Sequence, residues 1–489
     1  MRFKHCAKRR AIEIVLRQSG WIFRFAILLP AVVVVFLPSP SARAQSTGGR
    51  TFNLEEAIQF AQKSYPAVRA ALERVQAARA GVSLARTSYL PRADTLWQSN
   101  RATRNNIFGL LLPQQVISPI SGPVLASTSN DSAWGSAAGL LFSWEPFEFG
   151  YRRATVNAAR AAQNRSSAEA GVTRLDVAVA AANAFLTLLA AEQTVRAAQA
   201  DVKRREVFAK SIHVLVDNQL RPGADASRAD AELARARIGL IRAQQQERIS
   251  RAELAETLGI AGSAVEIVPG PLLGPVPKTA MPAPAITAHP LAVAQQARVN
   301  ELRSQVRILD RSYYPKLDLQ STIYGRGSGA NTDGTVATGL NGLGLERMNW
   351  AAGVTVTFPL FDIFSIRARK QIELSNERAE EAQYDQTIQE LTGLYGQAQA
   401  SLEGARQVAQ ETPIELQSAR DTETQAIARY QAGLATIVDV SDAQSLLLQS
   451  EIDDALARLA VWQNLASVAA AQGNLEPFMQ LLRMSPGGP

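Results

Sequence analysis

Two aspartates, Asp439 and Asp442, stand three residues apart shortly after Gly433, the only breaker in its stretch. Residues three apart share one side of a helix, so this spacing aims both carboxylates the same way. Gathered carboxylates can bind cations, and they repel one another when ionised. The same spacing also fits acids that the helix dipole favours in a first turn. Tyr430, three residues before Gly433, adds a phenolic hydroxyl, and Asp225 adds a third carboxylate in the first half of the chain. Beyond these the chemistry is sparse. His213 and His289 lie far apart and form no ligand set. Glu145 and Glu148 flank a strand-to-helix corner rather than forming a catalytic pair. There is no phosphate-cradling glycine loop with a lysine and no Gly-x-Ser-x-Gly elbow. No catalytic residue, cofactor or metal site is assigned, and the chain is not read as an enzyme.

The elements that must position these residues are long. Ile414–Arg429 and Ser445–Gln472 contain neither proline nor glycine, so Gly433 reads as the turn of a helical hairpin. Tyr151–Arg221 has no proline and one glycine, Gly171. As one helix it would span roughly 100 Å. Val172, Leu175, Val179, Ala182, Leu186 and Leu189 step along it by threes and fours, as in a coiled-coil seam. The tip Asn218–Asp225 then reverses the chain into Ala226–Leu258. The second hairpin reads as Asp362–Thr412, a break at Pro413, Ile414–Arg429, and the return helix.

Ahead of each hairpin lie two stretches with period-two alternation. Trp134–Trp144, Leu317–Tyr324 and Trp350–Phe358 are clear, and Arg92–Arg104 is the weakest. About ten alternating residues suit a tilted membrane strand, and a half-buried soluble strand alternates in the same way. Trp97, Trp134, Trp144 and Trp350 fall within these runs, as interfacial girdles or as core. The loops Asn105–Asp131 and Arg326–Arg347, rich in Pro, Gly, Asn and Ser, read as exposed turns.

The layout occurs twice. Pro66 and Pro91 return as Pro290 and Pro315, both 224 residues on. Past the next loop Phe147, Asp225 and Gly259 return as Phe361, Asp439 and Gly473, each 214 residues on. Two constant offsets that change once describe a duplicated unit with ten extra residues in one loop of the first copy. The domain plan is therefore residues 1–44, a signal peptide; 45–262, a first repeat with strands near 90–104 and 133–145 and a hairpin over 151–258; 263–286, a proline-rich linker; 287–477, a second repeat with strands near 315–326 and 349–359 and a hairpin over 362–472; and 478–489, a C-terminal tail.

Composition narrows the class. The formal charge is +7, but residues 1–44 hold eight of the 51 basic residues and one of the 44 acids. The remainder balances at 43 of each, which removes the basic stripe a nucleic-acid binder would keep. Those first residues have a basic start, an apolar run over Ala26–Phe36 and the small-x-small site Ala42-Arg43-Ala44, so the mature chain is expected to begin at Gln45. The single cysteine, Cys6, lies inside that signal, which leaves no disulfide and no N-terminal acylation site in the mature protein.

The pattern Tyr430-x-x-Gly433-x-x-Thr436-Ile437-Val438-Asp439-Val440-x-Asp442-Ala443 resembles the periplasmic tip of the TolC family of outer-membrane efflux ducts. The opening Leu54-Glu55-Glu56-Ala57-Ile58, the following prolines and the duplication are similar to that family too. The resemblance covers nearly all of residues 52–477. It implies a mainly α-helical protein with a membrane β-barrel, in which three chains pool four strands each into a twelve-strand barrel continued by an α-helical barrel. It also implies an outer-membrane location reaching into the periplasm of a Gram-negative cell, contact with outer-membrane lipid, and no nucleic-acid partner. The expected function is the duct of a tripartite efflux or type I secretion system, a homotrimer served by a periplasmic adaptor and an inner-membrane pump. A soluble periplasmic coiled-coil adaptor or scaffold is the alternative. The resemblance places Asp439 and Asp442 at the periplasmic constriction, makes Tyr430 a link between hairpins with Asp225 as its acceptor, and puts the adaptor on the tips at Gly433, Leu434, Gln219 and Leu220. A basic residue of the family's closing network falls on Ala435 here. The first tip departs from the family pattern, with Arg221-Pro222-Gly223 in place of a Gly-Leu turn.

Overall fold

The structure is a computed structural model, and it describes residues 50–103, 129–277, 285–331 and 335–484. The expected signal peptide and its cleavage site lie outside the described residues, as do most of the loop after residue 104 and part of the linker.

The alternating stretches become strands. They are β2 (Arg92–Thr103), β3 (Ser132–Phe147), β5 (Lys316–Ser328) and β6 (Arg347–Thr357). They form one antiparallel sheet in the order β2-β3-β5-β6. The pairing sets which side chains share a face. Leu140 lies opposite Ile323, which lies opposite Trp350; Trp144 lies opposite Leu319, which lies opposite Val354. Trp97 pairs with Ala138 on the same face. The other face carries Asp94, Gln98, Gln320, Thr322 and Thr355, offset by one residue as the pleat requires. The apolar face has no cover: Trp97 and Trp350 are each 78% exposed, and Ile323 and Val354 are exposed beside them. A contiguous apolar face of this kind marks a contact with lipid or protein.

Below the sheet run the helices. α2 (Pro66–Thr87) and α5 (Pro290–Arg311) occupy corresponding places in the two copies, and each begins with proline at its first turn, where no N–H bond is lost. α3 (Tyr151–Asp217) is 67 residues long and α6 (Asp362–Gln431) is 70, about 100 Å each. α3 packs on α2, on α5, and on its hairpin partner α4 (Gly223–Thr257); α6 packs on α5 and on α7 (Ile437–Ala471). α3 ends at Asp217 rather than Arg221, because the chain turns left-handed at Gln219.

The expected break at Pro413 does not occur: α6 runs through it. Proline removes one backbone bond and crowds the preceding turn, yet the flanking residues are held on both sides. Leu416 and Ala419 pack on Leu447 of α7, and the Thr412 hydroxyl lies 3.4 Å from Asp454.

The most extensive buried cluster among the described residues centres on the middle of α3 and the ends of α4 and α7. Phe185, Leu186, Leu188 and Leu189 of α3 are fully buried together with Leu254, Leu258 and Trp462. Four short elements close this core, and three of them, β1, β4 and α8, have no counterpart in the sequence reading. β1 (Arg50–Phe52) pairs in parallel with β4 (Val265–Ile267). α1 (Leu54–Ser64) follows, begun by a capping box between Asn53 and Glu56. α8 (Glu476–Met484) replaces most of the expected tail. Its Phe478 is buried edge-on against Trp462, with ring centroids 6.2 Å apart, and its Arg483 donates to Glu55. The proline-rich linker carries a short 3-10 turn at Gly270–Leu273, and a second, Ile286–Ala288, spans its end.

Candidate functional site

The two hairpins turn at the end of the helices far from the sheet, and the same local geometry makes both turns. At the second tip the Gly433 N–H donates to the Tyr430 carbonyl at 3.0 Å and the Leu434 N–H to the Arg429 carbonyl at 2.8 Å. At the first, Gln219 donates to Val216 at 2.9 Å and Leu220 to Leu215 at 2.8 Å. Each pair closes a helix end around one left-handed residue: Gly433 at φ +76° and, less favourably, Gln219 at φ +58°. The turns lift Leu220 and Leu434 off their helices, 68% and 71% exposed.

The helices leaving the turns begin differently. Thr436 caps α7. Its hydroxyl accepts the Asp439 N–H at 3.3 Å, and Asp439 Oδ2 accepts the Thr436 N–H at 2.7 Å and the Thr436 hydroxyl at 2.8 Å. The backbone bond first, then the hydroxyl, holds the Asp439 carboxyl below its ordinary value. Asp439 and Asp442 are both exposed. In the first copy the capping position is Pro222, which has no side-chain acceptor or donor to offer. Asp225, the counterpart of Asp439, is therefore not engaged by a cap, and its Oδ2 accepts the Tyr430 hydroxyl at 2.7 Å.

Tyr430 is only 1% exposed. It sits in a small core with Ile212, Ala226, Ala229, Ile437 and Val440, and Phe208 meets its ring edge-on at 5.7 Å. Burial, then the Asp225 bond, pushes its phenol up to about 12, with Arg221 pulling the other way. The sequence reading missed Arg221. Its guanidinium lies 4.4 Å from the Tyr430 ring centroid and donates to the Tyr430 carbonyl. The structure thus brings Tyr430, Asp225 and Arg221 together and leaves Asp439 and Asp442 on a separate exposed surface.

Further up the hairpins a buried charge layer also escaped the sequence reading. Arg205 pairs with Asp201 at 2.9 Å, approaches Glu232 of α4 at 3.5 Å and donates to Ser445 of α7 at 3.1 Å. Arg204 grips Glu451 of α7 with two bonds of 3.0 and 2.8 Å. Burial raises Asp201 and Arg205 opposes that rise. This layer fixes α3 against both return helices.

The histidines have local roles. His289 caps α5 by accepting the Leu291 N–H at 3.1 Å, and its other nitrogen faces the Ala470 carbonyl at 3.2 Å. His213 faces Asp230 across the first hairpin at 2.9 Å. Among the described residues no group of three or more His, Cys, Asp or Glu is placed to hold a metal.

Comparison with known proteins then bears on the whole chain. The family model described as outer membrane efflux protein matches residues 57–260 and 284–474. Protein CyaE of Bordetella pertussis is 25% identical, over 86% of this chain and 84% of its own length. The pyoverdine export outer membrane protein OpmQ of Pseudomonas aeruginosa is 22% identical, over 85% and 83%. The open-state MtrE outer membrane channel of Neisseria gonorrhoeae superposes with a TM-score of 0.66 at 19% identity, covering 86% of this chain and 89% of that one.

Proposed function

The chain belongs to the outer membrane efflux protein family, and from that premise we propose that three copies form one continuous duct across the outer membrane and the periplasm. The observation that carries this reading is the sheet. It has four strands, the free edges of β2 and β6, and an uncovered apolar face. Four strands cannot close, since membrane barrels begin at eight. Long unpaired edges pair with other chains, so β2 of one protomer would meet β6 of the next, giving a ring of twelve strands. The apolar face would then meet lipid, with the tryptophans at its margins, and the polar face would line the lumen.

Each protomer's hairpins would continue that ring as a helical barrel of matching bore. At its far end Asp439 and Asp442 would stand as stacked carboxylate rings, selecting cations as such rings do. Tyr430 with Asp225 would hold the two hairpins together in the resting state. The exposed turns at Gln219, Leu220, Gly433 and Leu434 would receive a periplasmic adaptor, which joins the duct to an inner-membrane pump. The processed chain would begin at Gln45. Export of a small molecule such as pyoverdine, the cargo named for OpmQ, is the kind of task this duct would serve.

A soluble periplasmic scaffold would leave the apolar sheet face bare. Fractionation separates the two readings: the duct predicts a heat-resistant trimer in the outer-membrane pellet, and the scaffold predicts a periplasmic soluble protein. N-terminal sequencing of the same band checks Gln45, and an intact Met1 would contradict the signal.

A further inference from the structure

We propose that Arg221 is the basic member of the tip latch and that it closes the latch within one protomer, from the first hairpin onto the second. This rests on reading the tips as the gate.

Tyr430 is held on two sides by one short segment of the first tip. Asp225 takes its hydroxyl, and Arg221 covers its ring and reaches its carbonyl. That carbonyl is one of the last of α6, where intrahelical donors run out and a cation is favoured. It already accepts the Gly433 N–H at 3.0 Å, so Arg221 adds a second donor to the turn itself. Arg221 also lies close enough to Gly433 that a Cβ there would come within 4.0 Å of its Nη2. One side chain of the first hairpin thereby grips the last residue layer of α6 and lies alongside the turn that follows.

The duplication explains the placement. The offset of 214 residues that relates Asp225 to Asp439 also relates Arg221 to Ala435. The position where the resemblance expects a basic residue is alanine, and the matching position in the other copy is arginine. The charge has changed copies. Pro222, next along, is the change that leaves Asp225 without a capping partner. Two departures from the family pattern in the first tip thus build one slot for Tyr430. Opening requires Tyr430 to leave this slot, whichever hairpin moves.

The test is single-channel recording of purified protein in planar bilayers, with Arg221→Ala, Arg221→Gln, Arg221→Lys, Tyr430→Ala and the Arg221→Ala/Tyr430→Ala double variant. Removing a partly desolvated cation–π contact shifts an equilibrium on the order of tenfold. Arg221→Ala should therefore raise resting open probability by about that factor, and Arg221→Gln, which keeps most of the length, should match it. Arg221→Lys should recover only part, since an ammonium lacks the planar fork. In the Tyr430→Ala background only the bond to the backbone carbonyl survives, so the Arg221 change should add clearly less than it does in the wild type, which separates action through the Tyr430 ring from a role in shaping the first turn. If the alanine variant does not run as a heat-resistant trimer, the glutamine variant carries the comparison. Wild-type resting behaviour in the Arg221 variants, or effects that multiply with those of Tyr430→Ala, overturns the latch. A wild-type preparation that inserts no channel overturns the duct reading itself.

Discussion

On the proposed latch, Tyr430 would set the pH behaviour of the tips. Its phenol is raised from about 10 to about 12 because the neutral hydroxyl is the form that is buried and donates to Asp225. A raised value favours the protonated state on folding, so its contribution is complete below pH 10 and is lost as pH climbs through about 12. Resting conductance should stay level from neutral pH to about 10 and rise between 10 and 12. Tyr430→Phe should start high and stay flat over that window; a flat wild type would contradict the assignment. Asp439 shows the opposite sign. Its lowered value keeps it ionised, and that contribution fades only as pH falls through the lowered value. Because Asp439 also caps α7, charge and fold must be separated by choice of variant. Asp439→Asn with Asp442→Asn keeps a capping acceptor and removes the charges, so cation preference and block by multivalent cations should fall with the trimer intact. Thr436→Ala removes the cap, costing about 1 kcal/mol, and should leave selectivity unchanged. The converse pattern in bilayer recordings would make the two aspartates ordinary helix-start acids. The Tyr430–Asp225 pairing was legible from the resemblance and is present as a hydrogen bond, while the roles of Asp439 and Asp442 stand as proposals. Arg221 was not legible, because its partner lies 209 residues away and only the repeat offset to Ala435 points to it.

At the scale of elements, periodicity and breakers were read well where a residue acts locally and poorly where packing overrules it. The four strands follow from alternation because each pleated residue faces a single environment. Pro413 misled the reading because its local cost is outweighed by contacts with α7 on both sides. Pro413→Ala restores one backbone bond to the Ala409 carbonyl and should stabilise the protein by ~1–2 kcal/mol, less than proline's full helix penalty because the unfolded chain also gains freedom. A lower melting temperature would contradict this account of α6. The strand pair β1–β4 and α8 were missed because three-residue strands have no period to detect, and because the burial of Phe478 depends on Trp462, contributed by α7. The tips carry a prediction of their own. Leu220→Glu with Leu434→Glu changes two exposed side chains, so trimer formation and bilayer conductance should persist while export in cells is lost. Unchanged tolerance of exported toxic compounds in that strain would remove the docking role.

At the scale of the molecule, one fact governs the reading: the chain offers four strands that cannot close alone and an apolar sheet face it does not cover. The mainly helical, duplicated plan with its four strands was legible because duplication doubled every signal, so that weak strands near Arg92 could be placed by their stronger counterparts near Lys316. The assembly is different in kind: on the proposed reading the strand edges would be satisfied by other chains, and no single sequence writes such a contact down. The most direct measurement is electron cryo-microscopy of the purified protein in lipid nanodiscs. The duct account predicts a threefold particle with a closed ring of twelve strands, β2 paired to the neighbouring β6, Trp97 and Trp350 against lipid, and a helical barrel narrowing at Asp439 and Asp442. A particle whose sheet edges remain open, or whose apolar face is buried against protein, would contradict it.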